Sequence, residues 1–181
     1  MAIQLGRKAR CELMEKKEKR VSSDIEKRLQ HFEDQLALNK LINSYHWRAD
    51  HFEWQEWSNC FTEDAEFDFT GEFGTMCGRS NIHDICKGNM DHVYGAMQHV
   101  IVNLDFEVTG ENSALGHGNL IFTALPDPAQ QHLNFQSGGR YNWEFKRTSE
   151  GWRISKARLD FIWTQGENVG AVFSEPQAAT G

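Results

Sequence analysis

The chain has no apolar run approaching the ~20 residues that cross a bilayer, and its N-terminus lacks the apolar core of a secretory signal. These absences predict a soluble, cytoplasmic protein with no membrane partner. Cysteine is sparse: Cys11, Cys60, Cys77 and Cys86 include no C-x-x-C pair, and they read as reduced thiols in or near the core. Also missing are G-x-S-x-G, G-x-G-x-x-G, a Walker loop and H-E-x-x-H. Serine hydrolases, dinucleotide enzymes, P-loop NTPases and zincins thereby lose their required parts. No internal repeat or low-complexity block is present.

Basic residues are outnumbered, 19 against 26 acidic, for a net charge of −7. That sign opposes phosphate backbones and anionic lipid, so nucleic acid is not expected as a partner. The basic minority is uneven: residues 1–21 hold seven Lys or Arg against Glu12, Glu15 and Glu18. This segment reads as a solvated arm, followed by one domain over residues 22–165 and a weakly specified tail over 166–181.

What the chain does have is apolar and aromatic material: 181 residues, 39% hydrophobic and 12% aromatic, enough for one sizeable core. Ser23 and Glu26 have capping-box spacing and predict a helix start. Ile25, Leu29, Phe32 and Leu36, then Leu38, Leu41, Ile42 and Tyr45, recur at helical spacing to about Asp50. Phe52–Phe61 predicts a second helix with Trp54, Trp57 and Phe61 on one stripe. Ala65, Phe67 and Phe69 alternate with acids, as in a half-buried strand. Gly71–Gly78 reads as a turn-rich connection, and 80–90 as a short helix burying Ile82, Ile85 and Cys86. Strands are predicted over 97–108, 114–124, 133–147 and 152–163. Helices first and a strand meander afterwards argue for an α+β domain with a curved antiparallel sheet.

On the 97–108 strand, Val100, Val102, Leu104, Phe106 and Val108 share one face, which leaves His99, Ile101 and Asn103 on the other. A His inside a chamber enclosed by sheet and helices is a candidate for proton transfer, and elsewhere is an ordinary surface or core His. Asp50, among Tyr45, Trp47, Phe52 and Trp54, is either a solvated helix end or an acid held in an aromatic pocket by a partner. His46 and Asp50, one turn apart, also have metal-ligand spacing, but no second pair accompanies them and no metal is expected.

Tyr45-x4-Asp50, Trp57-Ser58-Asn59-Cys60-Phe61-Thr62-Glu63-Asp64-Ala65, His99-x3-Asn103, Gly138-Gly139-Arg140-Tyr141 and Gly151-Trp152-Arg153-Ile154 occur in this order over residues 30–165. In this the chain resembles the SnoaL-like branch of the nuclear transport factor 2-like superfamily. Members of that branch include scytalone dehydratase, the hexachlorocyclohexane dehydrochlorinase and the bile-acid 7α-dehydratase. The resemblance implies a cone-shaped α+β barrel, a curved antiparallel sheet wrapped around N-terminal helices, with Asp50 and His99 facing each other and Tyr45 nearby. It also implies a homodimer or homotrimer joined through the open sheet face, and a cofactor-free lyase of dehydratase type. The late basic residue of some members is missing, since Leu159, Phe161 and Trp163 occupy that stretch.

On this reading His99 is the general base, Asp50 fixes its tautomer, Tyr45 donates a hydrogen bond and Asn103 orients substrate or imidazole. Trp47, Phe69, Phe73, Met76, Phe122, Tyr141, Phe161 and Trp163 would line a pocket for a flat hydrophobic molecule such as a polyketide, terpenoid or steroid, or else serve as ordinary core. An isomerase or cyclase using the same pair, and a binding or assembly subunit that does not need it, are the competing classes.

Overall fold

The computed structural model describes residues 2–69 and 74–166, with side chains in the first helix from Arg10 onward except Cys11. Helix α1 spans Ala2–Asp50, α2 Trp54–Ser58 and α3 Arg79–Met90; strands β1 to β6 span Phe61–Phe69, Gly74–Cys77, Ala96–Gly110, Ser113–Leu125, Phe135–Thr148 and Gly151–Gly166. Two compact units divide the chain, residues 1–36 and 37–181.

The first unit is helix. The expected start at Ser23 is absent, because α1 runs unbroken through Ser22-Ser23. No Pro or Gly occurs between Arg7 and Asp50, and Glu12/Lys16 and Glu15/Lys19 stand at stabilising four-residue spacing, so the helix reaches the serines already formed. Ser22 Oγ donates to Glu26 Oε1 at 3.0 Å rather than capping a backbone end. Ile25, Leu29, Phe32 and Leu36 are exposed.

In the second unit the helix turns its apolar residues inward: Leu38, Ile42, Tyr45 and Ala49 are buried. It ends in a Schellman motif, with Phe52 N–H donating to Ala49 O at 3.0 Å and Glu53 N–H to Arg48 O at 2.9 Å. The C′ residue is Phe52 at φ 58°, where glycine is usual. That left-handed conformation costs a β-carbon-bearing residue roughly 1–2 kcal/mol, and packing of the Phe52 ring against the core offsets it.

Six strands form one open, curved sheet in the order β2-β1-β6-β5-β4-β3. The expected meander holds for β3–β6, whose neighbours pair antiparallel. The sheet is mixed rather than wholly antiparallel, since β1 lies parallel to β6. Part of the supposed turn-rich connection is the edge strand β2, paired with β1 through Phe67↔Met76 and burying Met76. Gly138-Gly139 sits at a register irregularity of β5 against β6, where a Cβ on Gly138 would collide with the Trp163 indole and one on Gly139 would come within 2.8 Å of Asp160 O. The pair of glycines is thus a packing requirement.

Strand β3 departs from strict alternation. Its register against β4 shifts between Val102 and Asp105, and Asn103 takes φ +56°. This bulge exchanges the two faces. Before it His99 and Ile101 turn inward while Val100 and Val102 are exposed; after it Leu104 and Phe106 turn inward. The five apolar residues therefore do not share a face, and exposed Asn103 does not lie beside His99.

Asn103→Gly is expected to leave the unfolding midpoint unchanged or higher, and Asn103→Val to lower stability by about 1–3 kcal/mol, since a β-branched residue disfavours positive φ. Denaturant unfolding of both variants checks this.

Candidate active site

Asp50 is the last residue of α1, at the negative end of the helix dipole, where a carboxylate is disfavoured unless donors meet it. His99 supplies two. Its backbone N–H lies 3.1 and 3.0 Å from the two carboxylate oxygens, and its Nδ1 lies 2.5 Å from Asp50 Oδ1. The side chains are 11% and 16% exposed, so the bond is largely screened from solvent. With Nδ1 committed to the carboxylate, the tautomer that leaves Nε2 as the lone-pair nitrogen follows. At the helix end, Arg48 is bonded to Ser44 Oγ and Glu53 Oε2, each at 3.0 Å.

His99 stands between two spaces. On one side is a small cavity of about 30 Å³, lined by Tyr45, Trp54, Trp57, Phe67, Phe69, Leu120, Phe122, Ser137, Tyr141, Leu159 and Phe161 among others. On the other is an open cleft that His99 shares with His46, Trp47, Asp50, Arg48 and Glu53. Aromatic packing builds the cavity wall: His99 lies 4.7 Å from Phe122 between ring centroids, and Tyr141 stacks on Trp143 at 4.8 Å.

The polar groups of the cavity are few. Tyr45 and Tyr141 share a hydrogen bond between their side chains, and burial raises the pKa of both phenols, which keeps them neutral donors. Ser137 is fully buried and its Oγ has no partner, and it lies in register with Phe122, which in turn pairs with His99. Burial pushes the Cys86 thiol up to about 12, so it stays protonated and is a poor nucleophile.

The expected lining residues divide. Phe69, Phe122, Tyr141 and Phe161 face the cavity with Tyr45 and His99. Met76 is buried away from it. Trp47 is 64% exposed and stacks on His51 beside the open cleft, because its position on α1 lies off the buried stripe. Trp163 is half-exposed against Gly138, and Asn103 is turned out by the bulge. Phe73 lies outside the described residues. The aromatic stripe Trp54, Trp57 and Phe61 is buried, and its two tryptophans are lining residues that the sequence reading assigned only to a helix.

His46, read from the sequence only for its metal-ligand spacing with Asp50, also belongs to the site. It is buried one turn before Asp50, 5.4 Å from His99 between ring centroids. Its Nδ1 bonds Ile42 O at 2.9 Å, which leaves a buried Nε2 without a partner. Desolvation first, then the His99 ring, lowers its pKa well below the ordinary value. Its one-turn spacing from Asp50 was the available signal. Among the described residues no group of three or more His, Cys, Asp or Glu is arranged to hold a metal ion, and no helix is long and apolar enough to cross a membrane.

The family model for the SnoaL-like domain matches residues 30–158, which spans the carboxylate, the imidazole and most of the sheet. The chain belongs to the SnoaL-like domain family. Several solved structures share the fold of this SnoaL-like domain. A candidate scytalone dehydratase from Novosphingobium aromaticivorans has a TM-score of 0.69 at 17% identity, covering 82% of this chain and 97% of its own. A hexachlorocyclohexane dehydrochlorinase from Novosphingobium barchaimii has a TM-score of 0.67 at 17% identity, covering 78% and 95%. A nuclear transport factor 2-like protein with a cystatin-like fold, also from Novosphingobium aromaticivorans, has a TM-score of 0.65 at 21% identity, covering 77% and 89%. At these identities the likeness is one of fold. No curated protein matches the chain in sequence.

The lowered pKa of His46 has a consequence for stability. The unfolded chain binds a proton at this His near pH 6.5 that the folded SnoaL-like domain excludes, so the stabilising contribution is complete above ~6.5 and is lost as pH falls toward the folded value. Each pH unit in that window costs up to ~1.4 kcal/mol per excluded proton. Denaturant unfolding from pH 7 to 5 should therefore show a shallower loss for His46→Leu than for the native chain.

Proposed function

We propose that the protein is a cofactor-independent lyase of dehydratase type acting on a hydrophobic small molecule, with His99 as general base and Asp50 as its partner. The observation that carries this reading is the 2.5 Å contact between His99 Nδ1 and Asp50 Oδ1 at the wall of a largely apolar cavity. Family membership and fold neighbours that include a candidate dehydratase and a dehydrochlorinase support a lyase or isomerase-type role.

In the proposed step, His99 Nε2 removes a proton from carbon beside a carbonyl. The electron pair moves into the carbonyl to give an enolate, while Asp50 stabilises the imidazolium through Nδ1–H. The Tyr45–Tyr141 pair donates to the enolate oxygen from a neutral, desolvated position. As the enolate collapses, the C–O bond at the β carbon breaks and the imidazolium returns its proton to the leaving hydroxyl, releasing water. The rings of Phe69, Phe122 and Phe161 favour a flat apolar body, and the unpartnered Ser137 hydroxyl offers it a polar anchor.

An isomerase or cyclase would use the same pair without losing water, so the mass of the product separates the two. A purely binding or assembly role gains nothing from this pair, and unchanged ligand binding with no product formed would point to that role instead.

Against a panel of β-hydroxy ketones built on polyketide, terpenoid and steroid skeletons, mass spectrometry should detect products lighter by one water. His99→Gln and Asp50→Asn, made separately, are expected to keep the native circular-dichroism spectrum and to reduce turnover by ~10²–10⁴. Tyr45→Phe removes one donor and is expected to cost ~10²–10³. Full turnover in either the His99 or the Asp50 variant would eliminate the proposed pair.

A further inference from the structure

The first compact unit carries an apolar stripe that its own fold leaves in water. Met14, Val21, Ile25, Leu29, Phe32 and Leu36 are 51–66% exposed. With Glu18 as their one polar member they follow steps of four, three, four, four, three and four residues. This eleven-residue repeat of ~3.67 residues per turn keeps them on one side of a nearly straight helix. Residues 2–36 of such a helix extend ~53 Å. A helix of this kind gains most of its stability by packing an apolar face, and a contiguous exposed stripe of large side chains marks an association surface.

Charge identifies the occupant. At 100° per residue, Arg10, Lys17 and Arg28 fall about a quarter-turn to one side of the stripe, and Glu15, Glu26 and Glu33 about a quarter-turn to the other. All six are exposed; farther round on each side lies a charge of the other sign, Asp24 beyond Arg28 and Lys19 beyond Glu26. When two identical helices pair in parallel about a common axis, the basic flank of each faces the acidic flank of the other. Antiparallel pairing would set like flanks together. We infer that this stripe is a self-association surface, on which a second copy of the chain packs its own residues 14–36 in parallel. The inference is independent of the catalytic reading, and it uses a surface other than the open sheet face that the family resemblance suggests.

Disulfide trapping of the full chain tests it, with Cys11→Ser and Cys77→Ser removing competing thiols; Cys60 and Cys86 are buried. In a parallel pair each stripe position meets its own copy. Ile25→Cys and Leu36→Cys, eleven residues apart, should therefore both give cross-linked dimers on mild oxidation, while Lys16→Cys, on the opposite side of the helix, should not. Cross-linking at neither position, at only one of the two as an antiparallel crossing would give, or equally at Lys16→Cys overturns the inference. In the Ile25→Cys background, Lys17→Glu with Arg28→Glu should lower the cross-linked fraction several-fold, and adding Glu15→Lys with Glu26→Lys should restore it. A fraction indifferent to both sets of changes overturns the charge pairing.

Discussion

One carboxylate organises the second compact unit. Asp50 sits where the backbone of α1 presents uncompensated carbonyls, so its negative charge is opposed by the helix that carries it. Two donors from His99, one backbone and one imidazole, reverse that balance and bind the helix end to β3. The Schellman turn at Phe52 completes the junction by redirecting the chain into α2, whose tryptophans then close one wall of the cavity. The strained φ at Phe52 and the disfavoured charge at Asp50 both lie within three residues of the helix end, which is where local cost is expected when geometry serves a site.

The same packing sets the chemistry of the cavity by keeping most of its titratable groups neutral. Desolvation raises the phenols of Tyr45 and Tyr141 and the thiol of Cys86, and it lowers His46. A protonated His46 would place a second positive charge beside any imidazolium formed at His99. Its burial, with Nδ1 held by Ile42 O, removes that competition. The phenols are left as neutral donors beside the bond between Asp50 and His99, a division of roles that the proposed general-base step would use.

Legibility from sequence followed the locality of the physics. Tyr45, Asp50 and His99 were singled out together through the order of motifs shared with the SnoaL-like branch, since periodicity alone left Asp50 and His99 open to ordinary surface or core roles, while the glycine pair before Tyr141 matches a close approach that only side-chain-free positions allow. The bulge at Asn103 was not readable. A period-two pattern of apolar residues continues straight through it, and a single residue entering positive φ leaves no trace beyond the identity of Asn, which tolerates that region. Trp163 and Trp47 looked like lining residues by composition, yet one rests on Gly138 outside the cavity and the other lies off the buried face of α1, distinctions set by tertiary register alone.

The capping-box misreading points the same way. Ser23 and Glu26 have the right spacing for a helix start, but a cap acts only where backbone donors are free, and the uninterrupted helix formers before Ser22 leave none. A start at Ser23 makes Ile25, Leu29, Phe32 and Leu36 look like the opening of the buried stripe that Leu38 and Ile42 continue. In the first unit those four cluster within about 60° of one another at 100° per residue and are exposed; in the second, Leu38, Ile42, Tyr45 and Ala49 form a stripe of their own and are buried. One helix carrying two apolar faces is what a chain needs when one segment packs within its own domain and another is left to pack against something else.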